Sequence, residues 1–402
     1  MKPKMIIACA ALSLAAPIFT ACSDDKNDAP ALSAEKVYSG KSLDLEYSGE
    51  EMDGKSVKVT RNGETATLTL YSTLDLAAVP GAGIINSVQG PGVIPGEPNA
   101  MLQVNLVASG GKYTFSGTQE GTYCSYSYSG RLDDSSLSLD IDNVVLKDKT
   151  LADTEWTPQP YIPSTQGLGA PLSSPLSLTW TSSEAIDLGN GMELDTQQVA
   201  DMLANVPLIY DKATGENASL AQLIARYVKS ISFGADGNVS AIYNTVEGGN
   251  RLDTETTPVN TLQYVLPGSN RLLLFVDFRS IITDILDETR AQVSTSTLLS
   301  TIESLLNVVQ PQLSQGFPFA YSSDGSKMTL SLPQEVATPA VKQIISSLLS
   351  DKEVAQALLQ KIADNPAAAE YLPVIQNVIA SLPKVVEATG SITLTLNLVR
   401  VQ

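Results

Sequence analysis

The chain has 402 residues, enough for two domains of ordinary size, and sets 43 acids against 25 lysines and arginines for a formal charge of −18. A polyanion of this strength repels nucleic acid and anionic membrane surfaces. Histidine is absent, which excludes Ser-His-Asp and Cys-His catalysis, histidine-bound zinc and an imidazole proton shuttle.

At the amino terminus Lys2 and Lys4 precede an apolar run from Met5 to Phe19, which ends in Thr20-Ala21-Cys22. A charged start, an apolar core and small residues at a cut form the layout of a secretory signal. The run falls short of the roughly 20 residues that cross a bilayer. An ordinary signal cut near Ala21, with Cys22 incidental, is one reading. The other starts from Thr20 and Ala21 directly before Cys22, which resemble the lipobox where bacterial lipoproteins are cut and acylated on cysteine. Phe19 departs from the usual Leu or Val at the first lipobox position. Ser23, Asp24, Asp25 and Asp28 follow; this acidic cluster resembles the surface-export signal of Bacteroides-type lipoproteins, and would otherwise be a solvated tether. The resemblance implies removal of residues 1–21 as a signal peptide and a lipid on Cys22 as the contact with the membrane. It implies an acidic flexible tether over 22–36 and an outer-membrane location facing the cell exterior. Each buried methylene of an acyl chain adds about 0.8 kcal/mol and a single chain holds only marginally; lipoproteins of this type carry several chains on one cysteine.

From Val37 the pattern has period two. Leu43, Leu45 and Tyr47 alternate with polar residues, as do Val57 and Val59, then Ala66, Leu68 and Leu70. Leu102, Val104 and Leu106 continue it, then Tyr113 and Phe115, then Cys124, Tyr126 and Tyr128, then Leu137, Leu139 and Ile141. Turn signals stand at Asp53-Gly54, Asn62-Gly63 and Gly110-Gly111. This predicts an antiparallel β domain over 37–157, a barrel or a sandwich. Pro80 to Asn99 reads as a Gly/Pro-rich rim or lid, and the Pro/Ser/Gly-rich residues 158–175 as a linker.

Residues 176–402 mix two periods. Leu220, Leu223, Ile224, Tyr227 and Val228 fall at helical spacing, and hairpin turns follow at 234–238, 267–270 and 323–325. Further helical stripes start at Leu298, Val341, Val354 and Tyr371, and Ile392, Leu394, Leu396 and Leu398 end the pattern as a strand. Hairpins with amphipathic helices between them predict an α+β domain. The stripes either pack on the sheet or form a groove for lipid or partner helices.

The stretches "LAQLIARYVKSISFGADGNVSAIY", from Leu220 to Tyr243, and "NTLQYVLPGSNRLLLFVDF" resemble large surface lipoproteins of Bacteroides-type bacteria, a family of unknown function and similar length. The strand count and alternation of the first region are similar to the calycin-like, or lipocalin-like, domains of such lipoproteins, which implies a β-barrel there.

Few residues point to chemistry. Ser33–Lys36 and Ser381–Lys384 match S-x-x-K, but the Ser-Asp-Asn and Lys-Thr-Gly partners of penicillin-recognising enzymes are missing. Asp133-Asp134 and Asp140/Asp142 are carboxylate pairs of the kind glycosidases use, or solvated acids with weak affinity for calcium. Cys124 lies in an apolar alternation and reads as a small buried hydrophobe rather than a reactive thiol. Tyr113, Phe115, Tyr126 and Tyr128 either line a ligand site or fill the core. Trp156 and Trp180 flank the linker, where they line a junction cleft or pack. No cofactor or metal is expected. The pattern favours a lipid-anchored cell-surface protein with non-catalytic binding of a small amphipathic molecule or glycan. The alternatives are a structural or adhesive surface protein that binds another protein and, third, a carboxylate-based hydrolase.

Overall fold

The period-two segments pair as strands in the computed structural model, which describes residues 31–74, 87–165, 171–207, 209–247, 251–279, 308–350 and 372–401. Residues 1–30 lie outside this range, and with them the signal peptide, Cys22 and Ser23–Asp25. So do residues 80–86 of the expected lid, residues 166–170 of the expected linker, the helical stripe from Leu298 through Leu306, the stripe from Val354 and Tyr371.

The first region comprises β1 (Glu35–Ser39), β2 (Leu43–Tyr47), β3 (Glu50–Glu51), β4 (Lys55–Asn62), β5 (Thr65–Leu74), β6 (Val88–Gln89), β7 (Ala100–Asn105), β8 (Val107–Ser109), β9 (Lys112–Glu120), β10 (Cys124–Leu132) and β11 (Leu137–Leu146). One sheet runs β1-β4-β5-β7, with β6 on the far end of β5; the other runs β3-β2-β11-β10-β9-β8. All pairings are antiparallel except β2 with β11. Inward residues of both sheets, among them Val57, Leu68, Leu102, Tyr47 and Leu139, form one buried cluster. Full burial of each such aliphatic side chain contributes about 1.5–3 kcal/mol. Both sheets are open, so the barrel alternative is corrected: no closed barrel forms among the described residues. The reason is local. The one-turn 3-10 helix Gly40–Ser42 passes the chain from the first sheet into the second. The short β3 and β8 then stand as edges, too brief to recruit a further strand.

The rest comprises β12 (Thr154–Pro158), β13 (Leu176–Ser182), β14 (Ile186–Gly189), β15 (Met192–Leu194), α1 (Thr196–Asn205), β16 (Ile209–Asp211), β17 (Glu216–Ala218), α2 (Leu220–Tyr227), β18 (Val228–Phe233), β19 (Val239–Glu247), β20 (Arg251–Thr256), β21 (Leu262–Gly268), β22 (Arg271–Val276), β23 (Phe317–Ser323), β24 (Lys327–Leu332), α3 (Gln334–Ser350), α4 (Leu372–Glu387) and β25 (Thr389–Arg400). A ten-stranded sheet runs β20-β19-β18-β12-β25-β24-β23-β22-β21, and β13 also pairs with β25. Its position explains residues 158–175. Gln159 N donates to Asn397 O at 2.9 Å, and Asn397 N donates to Pro175 O at 2.8 Å. The segment thus leaves and rejoins the sheet at one residue of β25, as an excursion between two strands.

The expected boundary at 157 assigns Thr154–Thr157 to the first region and Pro158 to the linker, whereas the hydrogen bonds of β12 run to β18 and β25. The buried cluster crosses with it and takes in Trp156, Phe233, Tyr264, Leu272, Met328 and Leu398. The helices are capped as the sequence dictates. Asp195 caps α1 by accepting from Gln198 N, and Ser219 caps α2 by accepting from Gln222 N; such caps contribute about 1 kcal/mol each. Val341, Ile345, Val378 and Leu382 of α3 and α4 pack around Trp180 and Ile392. Of the two readings of the helical stripes, these faces follow packing on the sheet.

Candidate functional site

The Asp53-Gly54 turn opens β4, and alternation then sets Lys55 on the same face as Val57 and Val59, toward the core. The Lys55 side chain is 2 % exposed. Its ammonium donates to the Pro91 carbonyl at 2.9 Å and stands 3.6 Å from Asp277 Oδ2. Asp277 follows β22 and is held by its backbone N–H, which donates to Thr261 O at 2.9 Å. Arg279 completes the group. Its Nε donates to Asp277 Oδ1 at 2.9 Å, and its Nη2 donates to Asp277 Oδ2 and to the Asp53 carbonyl. The guanidinium lies against Gly54, in the space a β-carbon there would take. Glycine is needed twice over, since its φ is +64°.

Burial dominates the electrostatics. It lowers the Lys55 pKa from 10.5 to about 8, with Asp277 opposing the shift. Burial alone would raise Asp277. The Arg279 hydrogen bonds and the Lys55 charge outweigh it and hold the carboxyl below the usual range.

Two clefts flank this group. One, of about 420 Å³, lies between the β3 turn and the β20–β21 loop and is lined by Glu51, Asp53, Val259, Asn260, Asp277 and Arg279, among others. The second, of about 400 Å³, lies against the start of β2 and has Lys41, Asp44 and Lys55 in its lining. Both share Glu51, Met52 and Asp53. Asn260, at φ +65°, ties the walls together. Its Nδ2 donates to the carbonyls of Tyr47 at 3.3 Å and Glu50 at 3.2 Å. Its Oδ1 is buried without a hydrogen-bond partner. The lining offers carboxylates, one guanidinium and a half-exposed Val259. Such a surface presents hydrogen-bond acceptors beside one exposed apolar side chain. Lys55 makes both its contacts inside the protein, which suits a structural charge better than a nucleophile.

The aromatic residues singled out from the sequence are placed elsewhere. Tyr113, Phe115, Tyr126 and Tyr128 are 3–7 % exposed and belong to the shared core. Phe115 faces Gly130 and Tyr128 faces Gly117 in the β9–β10 register. A β-carbon on Gly117 would lie 2.6 Å from Tyr128 Oη, and one on Gly130 would strike the Phe115 ring. The rings cover strand glycines, a known device for filling the space above them. Their hydroxyls are engaged as well: Tyr128 Oη donates to Gln103 O at 3.2 Å, and Tyr113 Oη accepts from Arg61 Nη2 at 2.9 Å. The ligand-lining assignment is thereby corrected to core packing. Trp156 and Trp180 are 1 % and 5 % exposed and fall in different clusters. Their indole N–H groups donate to Thr154 Oγ1 and Thr389 Oγ1, each at 2.9 Å. Among the described residues the two rings therefore pack in separate parts of the core.

The remaining motifs stabilise local structure. Asp133 accepts from Ser135 N at 2.6 Å and pairs with Lys112 at 2.9 Å. Its hydrogen bonds with the Ser135 hydroxyl and Lys112 hold it well below the usual carboxylate range. Ser33 Oγ donates to Asp134 Oδ1 at 2.7 Å, and Lys36 pairs with Asp134 at 3.6 Å, so both ends of the first S-x-x-K serve one carboxylate. In the second, Ser381 Oγ donates to Val378 O while Lys384 pairs with Glu184 at 2.7 Å. Asp140 and Asp142 stand on β11 opposite the parity of Leu139 and Ile141. Glu46, paired with Asp140 across the parallel ladder, is pushed up by desolvation, then by Asp140 and Asp44. Cys124 is fully buried, and burial raises its thiol to about 12. Among the described residues no three His, Cys, Asp or Glu side chains group to hold a metal ion.

Sequence reasoning passed over Lys55, Asp277, Arg279 and Asn260. One signal was present: a lysine in phase with the inward valines of β4. No family model matches the chain, and the searches of curated proteins and of solved structures gave no match either.

Proposed function

We propose that the protein is a lipid-anchored surface protein of the outer membrane, held through Cys22 and displayed by the acidic Ser23–Asp25 signal. Its role is to bind a small amphipathic molecule or a glycan without turnover, in the cleft between the β3 turn and the β20–β21 loop. The observation that carries the binding reading is the cleft itself. Its volume of about 420 Å³ lies within the roughly 300–1,000 Å³ of small-ligand sites, and it joins apolar Val259 to a carboxylate–guanidinium floor. The carboxyls pushed down at Asp133, Asp134 and Asp277 are poor general acids at neutral pH, which supports binding over hydrolysis. The likeness to calycin-like domains rests on strand alternation; the open edges of both amino-terminal sheets weigh against it. The filled tyrosine core favours a second reading, a structural or adhesive protein that binds another protein.

Thermal-shift screening of the mature chain against glycans, fatty acids and bile-acid-like amphiphiles tests the first reading. Stabilisation by one class, lost on Val259→Trp at the cleft lip, is expected. A shift that survives Val259→Trp places the ligand elsewhere and refutes the cleft.

A further inference from the structure

We infer that the cleft selects an uncharged saccharide over an anionic amphiphile or acidic sugar, an inference that rests on the cleft being the binding site. The argument is a count of charge and of hydrogen-bonding capacity. Arg279 is bound to Asp277 and to the Asp53 carbonyl, and Lys55 to Asp277 and Pro91. Both cations face protein acceptors. Glu51 and Asp53 remain exposed on the ridge between the two clefts, and neither is in an ion pair among the described residues. A ligand carboxylate or sulfate placed in the cleft of about 420 Å³ meets two like charges and finds Arg279, the cation of that lining, engaged, while the exposed Lys41 stands in the other cleft.

Donors fare differently. An ionised carboxylate accepts only, with room for several hydrogens, so Glu51 and Asp53 ask for hydroxyl or amide donors. Asn260 stands behind them in the wall, 8 % exposed, with its Oδ1 buried and its Nδ2 holding the Tyr47 and Glu50 carbonyls. Vicinal sugar hydroxyls supply such donors in pairs. The C–H face of a sugar ring fits Pro258 and Val259, which are exposed on the opposite lip. The ridge shared by the two clefts gives a saccharide of more than one unit a place on either side. A fatty acid or bile acid offers one anionic head and few donors, and so satisfies little of this surface.

Calorimetric titration of the mature chain at low salt, with neutral disaccharides (cellobiose, maltose, N,N′-diacetylchitobiose), digalacturonic acid, laurate and cholate, tests the inference. A neutral disaccharide is expected to bind, and to lose about tenfold in affinity when Glu51→Gln and Asp53→Asn are combined, as for loss of one charged hydrogen bond. Digalacturonic acid is expected to gain affinity in the same variant. Both positions are exposed, so the variant retains the wild-type melting temperature. Preferential binding of digalacturonate, laurate or cholate that Val259→Trp abolishes overturns the saccharide inference and leaves the cleft standing. Binding that Val259→Trp leaves intact, or no binding by any probe, removes the cleft reading and the inference with it.

Discussion

Lys55→Met is expected to make the protein more stable at neutral pH, although it deletes an ion pair. The Lys55 pKa falls from 10.5 to about 8 because burial penalises the ammonium more than Asp277 repays it. A difference of about 2.5 units at about 1.4 kcal/mol each sets the penalty on the order of 3 kcal/mol. Methionine fills a similar volume, Asp277 keeps Arg279, and the lost bond to the Pro91 carbonyl costs about 1 kcal/mol. The net gain is therefore about 2 kcal/mol at pH 7, in line with apolar replacement of buried charges elsewhere. Below pH 8 folded and unfolded chains both hold the proton and the wild type bears the whole penalty. Between about 8 and 10.5 the folded protein has shed a proton that the unfolded chain keeps, so wild-type stability rises with pH. Urea unfolding at pH 7, 8.5 and 9.5 reads the gap between variant and wild type. Buried tyrosines such as Tyr47 and Tyr264, whose pKa values are raised by burial, lower stability at alkaline pH, but they do so in both proteins and cancel. A gap that stays constant from pH 7 to 9.5, or a variant less stable at pH 7, refutes the reasoning.

Cys22→Ala should release the protein from membranes into the soluble fraction; retention through high-salt and carbonate washing would disprove the lipid anchor. Residues 37–157 expressed alone should aggregate, because β12 loses both its neighbours and the shared core is cut open; a monomeric fragment with β-type circular dichroism would show two independent cores. Gly130→Val should cost about 1–3 kcal/mol in chemical unfolding, as for other overpacked core sites, since its side chain must displace the Phe115 ring; an unchanged midpoint would show that the ring has room to move. Cys124 should resist thiol reagents in the folded state and react on unfolding, and prompt native labelling would contradict its burial.

Local rules carried far in this chain. Alternation at Val57/Val59, Leu68/Leu70 and Leu137/Leu139 placed the strands and their inward faces, because a period of two leaves one choice of face. The stripe from Leu220 matches the helix that Ser219 caps, whereas the helix that Asp195 caps carries no stripe singled out from the sequence. What alternation cannot contain is the partner of each face. The same pattern serves a closed barrel, a sandwich or a sheet that passes its last strand to a neighbour, and here Trp156 goes to β18 and β25. The tyrosines illustrate the limit. Inward phase was legible, but whether a ring borders a void or covers a glycine depends on register, and Phe115–Gly130 and Tyr128–Gly117 are cross-strand pairs. The cleft was the least legible, since it joins Glu51 and Asp53 to residues more than two hundred positions later, and each is ordinary in its own sequence context.

The placement of β25 has a consequence for how the chain acquires its structure. Trp156 pairs with Arg400 across about 240 residues of intervening chain, and β24 waits on the other side of the same strand. Until Thr389–Arg400 is available, the large sheet exists only as two sets of hairpins with a missing seam. Assembly dominated by such distant pairings is slow, and its incomplete forms leave unpaired strands open to aggregation. A late seam also keeps the polypeptide threadable during synthesis. The twelve residues of β25 are then the step that commits the large sheet to its native form.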